Sequence, residues 1–292
     1  VSVVVAYSPG GATDFQARIV TMMAGKEKYL GQPIVIFNKP GAGGKVGWNW
    51  FAEKAKKNGY QLAAYNIPHF IAQSIVFKTK YNIRNLEPIA NWGADPAVLV
   101  VGRDSQFNSV KDVIDYAKKN PGKITVSGAG LYVGHHIALL QFEKAAGVQL
   151  KYIPHKGGVP ALKSVMGGQV MAGFNNLSDA YRSRSRLKIL AVADLQRDKE
   201  FLSDVPTFKE QGVDVDDSSV NFRGIMAPKG TSSAVIKLLA ERVPHMFRDK
   251  KVIKKMLAGG SPMRVIERDR VLKMWQEREQ YLKGLLAKLR KK

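Results

Sequence analysis

The chain has 292 residues, 45% of them hydrophobic, so it can bury a full-sized core, and its length favours two domains. Cysteine is absent, which excludes disulfide staples, thiolate zinc sites and cysteine nucleophiles together. The 46 Lys and Arg against 24 Asp and Glu leave a net charge of +22, a surface that attracts anions of any size, and no apolar run reaches the roughly eighteen residues of a membrane span.

Val1 to Tyr7 reads as a strand, followed by Ser8-Pro9-Gly10-Gly11-Ala12-Thr13-Asp14 and an amphipathic helix from Phe15 to Lys28 with Ile19, Met22 and Met23 on one side. A strand, a glycine turn and a helix start aim backbone N–H groups and the positive end of a helix dipole at one spot, which suits a carboxylate or phosphate. The same junction is also the form of an ordinary turn capped by Thr13 or Asp14. Pro33 to Phe37 reads as a second strand, Asn38-Lys39-Pro40-Gly41-Ala42-Gly43-Gly44 as another glycine-rich turn, and Val46 to Lys57 as a helix. Gln61 to Tyr65 is a third strand, ending at Asn66-Ile67-Pro68-His69. This alternation predicts a parallel sheet with right-handed crossovers, and ligands beyond the carboxyl ends of its strands.

Ala97 to Val101 reads as a strand leaving the first domain, and Ser109 to Lys119 as a helix stopped by Pro121-Gly122. Ile124-Thr125-Val126 feeds Ser127-Gly128-Ala129-Gly130-Leu131-Tyr132-Val133-Gly134-His135-His136 and a helix to Ala145, repeating the opening architecture. A weaker copy runs through Val170 to Phe174, the turn Asn175-Asn176-Leu177-Ser178 and a helix from Asp179; Ile189 to Ala193 is another short strand. Asn221 to Ala227 reads as a strand returning to the first domain, followed by helices over Thr231 to Phe247 and Arg268 to Leu289. The expected domains are residues 1–99 with 224–292, and residues 100–223, joined by two connections that make a hinge over a cleft. Lys237 to Lys292 holds 17 Lys and Arg against 6 Asp and Glu, ending in Lys288-Leu289-Arg290-Lys291-Lys292; such a run reads as a solvated basic helix end that complements the helix dipole.

Gly41 to Gly47 fails the dinucleotide pattern, with Val46 where a third glycine belongs, and fails the P-loop pattern, with Val46 after Lys45 in place of Ser or Thr. No Gly-x-Ser-x-Gly elbow is present, and the five histidines include no pair spaced for a helical zinc site, so neither a metal nor a cofactor is expected. What remains is a set of donors at strand ends without an obvious nucleophile and base: Ser8, the Gly10 to Thr13 backbone, Asn66, His69, Ser127, the Gly128 to Val133 loop and Asn175. Each has a plainer use, Ser127 in a turn, His135 or His136 as a helix cap, Asn175 in its own loop. The pattern fits binding better than catalysis. The rivals are an enzyme of the same build and a nucleic-acid-binding protein, which would interleave basic and aromatic residues on one face; the aromatics here lie mostly inside apolar runs.

Several of these pieces, in this order, carry a resemblance: Ser8 to Asp14, Gly31-Gln32-Pro33-Ile34-Val35, Asn38 to Gly44, Ser127-Gly128-Ala129-Gly130 with His136, Gly167-Gly168-Gln169-Val170, Val205-Pro206-Thr207 with Glu210 and Gly212, and Ala227-Pro228-Lys229-Gly230-Thr231. From Val3 to about Trp275 the chain is similar to the solute-binding proteins of tripartite tricarboxylate transporters, the Bug or TctC-like receptors. The resemblance implies an α/β, two-lobed periplasmic-binding-protein fold, the type II Venus flytrap, with two hinge connections. It implies a receptor and not an enzyme, exported to the periplasm behind a leader that this chain does not show, or held at the cell surface as a lipoprotein. Its partners would be a small carboxylate and a membrane permease, with no nucleic acid, and the chain is expected to act as a monomer. Family ligands are di- and tricarboxylates, aromatic acids and acidic amino acids.

By matching motif positions, the resemblance gives the carboxylate to Ser8, Gly10, Gly11, Ala12 and Thr13, with Tyr7 as the aromatic residue before the loop and His69 in the third-strand loop. Ser127, Gly128, Gly130 and Tyr132 would close on it from the second lobe, and Asp14, Asn66, Val133 and Asn175 complete the expected set. Where many members carry Asp in a Phe-Asp-Asn strand end, this chain has Phe174-Asn175-Asn176. Asn donates to an acid group where Asp repels it, so a ligand without an amino group is expected. Asn221-Phe222-Arg223-Gly224 stands where the family usually has a tryptophan, so the wall near the hinge is expected to differ.

Overall fold

The computed structural model describes residues 1–290, which leaves Lys291 and Lys292 of the basic tail outside the described residues. The first lobe begins with β1 (Ser2–Val5), α1 (Ala12–Thr21), β2 (Val35–Asn38), α2 (Lys45–Lys54), β3 (Gln61–Ile67), α3 (His69–Val76) and β4 (Leu86–Asp95). Pro96 carries the chain into the second lobe, made of β5 (Ala97–Gly102), α4 (Val110–Lys119), β6 (Thr125–Gly128), α5 (Gly134–Ala146), β7 (Lys151–Pro154), α6 (Gly158–Met166), β8 (Ala172–Asn176), α7 (Leu177–Arg182) and β9 (Leu187–Ala193). The chain then returns through β10 (Asn221–Pro228), α8 (Ser233–Phe247), α9 (Lys250–Ala258), β11 (Met263–Glu267) and α10 (Arg268–Arg290).

Two mixed sheets result, ordered β11-β4-β10-β3-β1-β2 and β7-β6-β8-β5-β9. The parallel part expected from the opening units is present: β1 pairs parallel with β2 and β3. The second half of that sheet is antiparallel, because β10 returns from the other lobe and inserts between β3 and β4. Leu86–Asp95 is a strand that the sequence pattern hides, since Pro88 and Gly93 read as turn residues. The strand holds because both edges are paired, and Pro88 sits at a register irregularity against β10 where its missing N–H is tolerated.

Helix α1 ends at Thr21 and not at Lys28; turns follow through Leu30, with Gly25 inside them. Helix α3, largely apolar with His69, Gln73 and Ser74 among its residues, is buried against α10, where Phe70 meets Trp275 at 4.8 Å between ring centroids. The second lobe packs Phe142, Phe174 and Phe208 between its sheet and α5. Among the described residues no helix is long and apolar enough to cross a membrane.

Candidate functional site

The carboxyl ends of β1 and β3 meet the second lobe over a narrow pocket, lined from the first lobe by Tyr7, Ser8, Gly11, Ala12, Thr13, Asn66, His69 and Asn221. From the second lobe come Ala129, His135, Gly157, Gly158, Val159, Asn176 and Asp179. Gly10, with φ of +81°, makes the turn that a Cβ would strain, and Gly11 is the N-cap of α1 with no side-chain cap. The first-turn N–H groups of α1 therefore face the pocket. The first turn of α6 starts opposite, behind Gly157, at a φ of +157° and again without a side-chain cap. Two helix N-termini, one from each lobe, thus converge on one space, and N–H groups of a helix's first turn have no partner within the helix.

Around them the polar side chains form a chain of hydrogen bonds. Asn66 Nδ2 donates to Thr13 Oγ1 at 2.9 Å and to Asn221 Oδ1 at 3.1 Å; Asn221 Nδ2 donates to Asn176 Oδ1 at 3.3 Å. Both amide protons of Asn66 are used, which fixes the amide's orientation and leaves Oδ1 buried without a partner. The Ala129 N–H donates to His135 Nδ1 at 3.1 Å, so in the neutral ring the proton sits on Nε2, which is likewise buried without a partner. Burial pushes His135 down to about 4 and holds His69 well below the usual histidine range, the neighbouring His135 and Arg223 adding to the effect on His69. Both imidazoles are therefore neutral at physiological pH.

Asp179 reaches across the cleft, its Oδ2 accepting the Ala12 N–H at 3.3 Å, while its other oxygen pairs with Arg182. Beneath the pocket Arg223, fully buried, donates to Asp95, to Gln16 Oε1 at 3.1 Å and to Thr13 Oγ1 at 3.2 Å. Asp95, the residue before the first crossing between lobes, also accepts the backbone N–H of Ser178 at 3.1 Å. The two lobes thus exchange carboxylates: Asp95 receives the start of α7, and Asp179 receives the start of α1.

The family model described as the tripartite tricarboxylate transporter family receptor matches residues 17–289. The chain belongs to this receptor family. It is 33% identical over 243 residues to the UPF0065 protein in the gbd 5' region of Cupriavidus necator, covering 82% of this chain and 72% of that protein. To BugT of Bordetella pertussis it is 30% identical over 267 residues, 89% and 80% of the two chains. Among solved structures, one of a periplasmic transporter shares 30% identity at a TM-score of 0.89, over 99% of this chain and 97% of that one. The periplasmic binding protein BugD shares 27% at 0.87, over 99% and 97%. The fold is that of the two-lobed periplasmic binding proteins.

In this receptor seven of the residues singled out from the sequence line the pocket together: Tyr7, Ser8, Gly11, Ala12, Thr13, Asn66 and His69. Others serve the loops behind it. Gly10 gives its N–H to Asp14, and Asp14 is spent on Arg18 and Asn38. Ser127 donates to the Ala161 carbonyl at 2.9 Å, and the Asn175 amide donates to the Gly158 carbonyl at 3.0 Å, so neither side chain faces the pocket. In the loop from Gly128 to Val133, Ala129 lines the pocket while two backbone donors are taken up nearby. His135 and His136 take the N–H groups of Ala129 and Tyr132, and the loop packs on the first lobe: Gly130 lies so close to Gly43 that a Cβ would stand 2.7 Å from its Cα. Tyr132, at a φ of +54°, rests on Phe77, and Val133 lies buried in the same contact. On this side Gly157-Gly158-Val159 lines the pocket beside Ala129. Its signal in the sequence is a glycine pair after an extended segment with Pro160 in the helical first turn.

Proposed function

We propose that this receptor binds a small organic carboxylate between its lobes and passes it, outside the cytoplasm, to the permease of a tripartite tricarboxylate transporter. The observation that carries this reading is the pair of helix starts, α1 and α6, that face one pocket without a cap from their own N-cap residues, the Ala12 N–H being met by Asp179 across the cleft. Such donors hold a carboxylate without a full positive charge, and the His135 Nε2–H adds a third direction. Among the described residues no hydroxyl of the pocket donates to a histidine: Ser8 Oγ donates to the Lys156 carbonyl at 3.3 Å and Thr13 Oγ1 accepts from Asn66 and Arg223. A nucleophile activated by a base is not assembled there. Two proteins of the same fold from Rhodopseudomonas palustris, MatC and Rpa4515, were solved with malate and adipate, at 24% and 22% identity.

A thermal-shift screen of small carboxylates followed by titration calorimetry tests the reading. A ligand present at about a hundred times its Kd stabilises the folded form by about 2.7 kcal/mol. The expected result is saturable one-to-one binding without turnover. Failure of every acid to shift the melting temperature, or release of a changed product, would overturn it.

A further inference from the structure

In a chain with a net charge of +22, Asp179 is, among the described residues, the sole formally charged side chain lining the pocket. It is 3% exposed, and one carboxylate oxygen lies at the Ala12 N–H, where an incoming carboxylate would be received. The other oxygen is turned to Arg182, whose guanidinium is anchored outside the pocket, donating to the Gly259 carbonyl at 3.1 Å and packing on the Phe15 ring. Among the described residues no Lys or Arg side chain lines the pocket, so a second acid group there would face the Asp179 carboxylate, with Arg223 beneath Thr13 and Arg182 beyond Asp179 as the near cations. The pocket also holds a buried acceptor, Asn66 Oδ1, whose amide cannot turn without losing its bonds to Thr13 and Asn221. Acceptors and helix N-termini side by side are complementary to a molecule that carries both a carboxylate and a cationic donor.

We propose that Asp179 sets the ligand class of this receptor: it accepts an ammonium carried beside the carboxylate that α1 and α6 hold, so the ligand is a small zwitterion such as an amino acid and not a plain polyacid. The inference rests on the receptor reading above. It reverses the expectation drawn from Asn175, because the acidic group is present after all, four residues further along and on the side of α7 that faces the cleft. Burial raises the Asp179 carboxyl above its ordinary range, and a neighbouring ammonium would draw it down again.

The test uses matched acids that differ by one amino group: L-alanine against propionate, L-aspartate against succinate, and L-phenylalanine against 3-phenylpropionate, titrated into the wild-type protein at neutral pH. The amino member of a binding pair is expected to bind at least about tenfold tighter, the range of a charge-assisted hydrogen bond. In Asp179→Asn its affinity should fall by about tenfold while that of the plain acid holds or rises. A plain acid bound as tightly as its amino partner overturns the inference and leaves the receptor reading standing. An equal loss of both members in a folded Asp179→Asn protein assigns Asp179 to structure alone and also overturns it. Absence of binding by every acid overturns both. The wild-type comparison decides even if the variant does not fold.

Discussion

Asp14 is buried at the third position of α1, where its carboxylate takes the Gly10 N–H at 2.9 Å, the Asn38 amide at 2.9 Å and a two-pronged contact from Arg18. Burial opposes its charge, but Arg18, the Gly10 N–H and Asn38 outweigh burial and hold the carboxyl below its ordinary range. A carboxyl with a lowered pKa stabilises the fold above its unfolded pKa, about 4, and that contribution is lost as pH falls through the lower folded value. Asp14→Asn should therefore cost about 2 kcal/mol at neutral pH, discounted because Arg18 is half exposed, and the cost should shrink in acid; denaturant melts at pH 7 and pH 3 check it. His69 and His135 behave oppositely in cause but alike in direction. Their depressed values mean that the unfolded chain takes up protons first as pH falls below about 6.5, so stability drains below that pH, for His135 down to about 4, each ring adding up to about 1.4 kcal/mol per pH unit. Calorimetric melting temperatures should fall steeply over that window, and His135→Asn, which keeps an acceptor for Ala129, should flatten the fall.

At the scale of elements, the first half of the site was legible in the sequence because its parts are neighbours in the chain: an apolar strand, a glycine turn and a helix pattern within thirty residues suffice. The second half was not. The Ser127 loop has the same outward form, yet packing against Gly43 and the capping by His135 and His136 decide its role, and these are contacts between distant segments. Asn221 and Asp179 enter the pocket only because β10 crosses back into the first sheet and α7 lies against α1, which no local pattern encodes. Gly11 tests the half that was legible. Its φ of −74° is open to any residue, and a Cβ would find only Ser8 O at 3.7 Å and Val159 Cγ2 at 3.9 Å. Gly11→Ala should cost about 1 kcal/mol, alanine being the poorer N-cap, and still fold and retain binding. Gly11→Leu should fold but lose at least about tenfold in affinity, because the longer chain runs into Val159 of the opposite lobe; an unchanged Kd by titration calorimetry would remove α1 from the site.

For the whole molecule, the two lobes are held by direct contacts spread over the cleft and beyond it. Arg278 of α10 pairs with Asp217 at 3.0 Å, and Tyr281 donates to Asp216 on the second lobe's side of the hinge. Arg182 binds the carbonyl end of α9 while its neighbour Asp179 binds the N–H end of α1, so one turn of α7 engages two helices of the other lobe with the charge that each end favours.

The reciprocal caps have a calorimetric consequence. The layer where the lobes meet mixes amides, imidazoles and a carboxylate with apolar carbon, Val159, Tyr132 and Phe77 included, and in the pocket the apolar surface is the larger share. Withdrawing apolar surface from water lowers heat capacity and withdrawing polar surface raises it, by roughly 0.45 and 0.26 cal/mol/K per Å2. Per Å2 the apolar effect is also the stronger, so it prevails in a layer of this composition. Titrations run between 10 and 35 °C should therefore give a binding enthalpy that grows more negative with temperature, and a flat enthalpy would show that closure buries mainly polar surface instead.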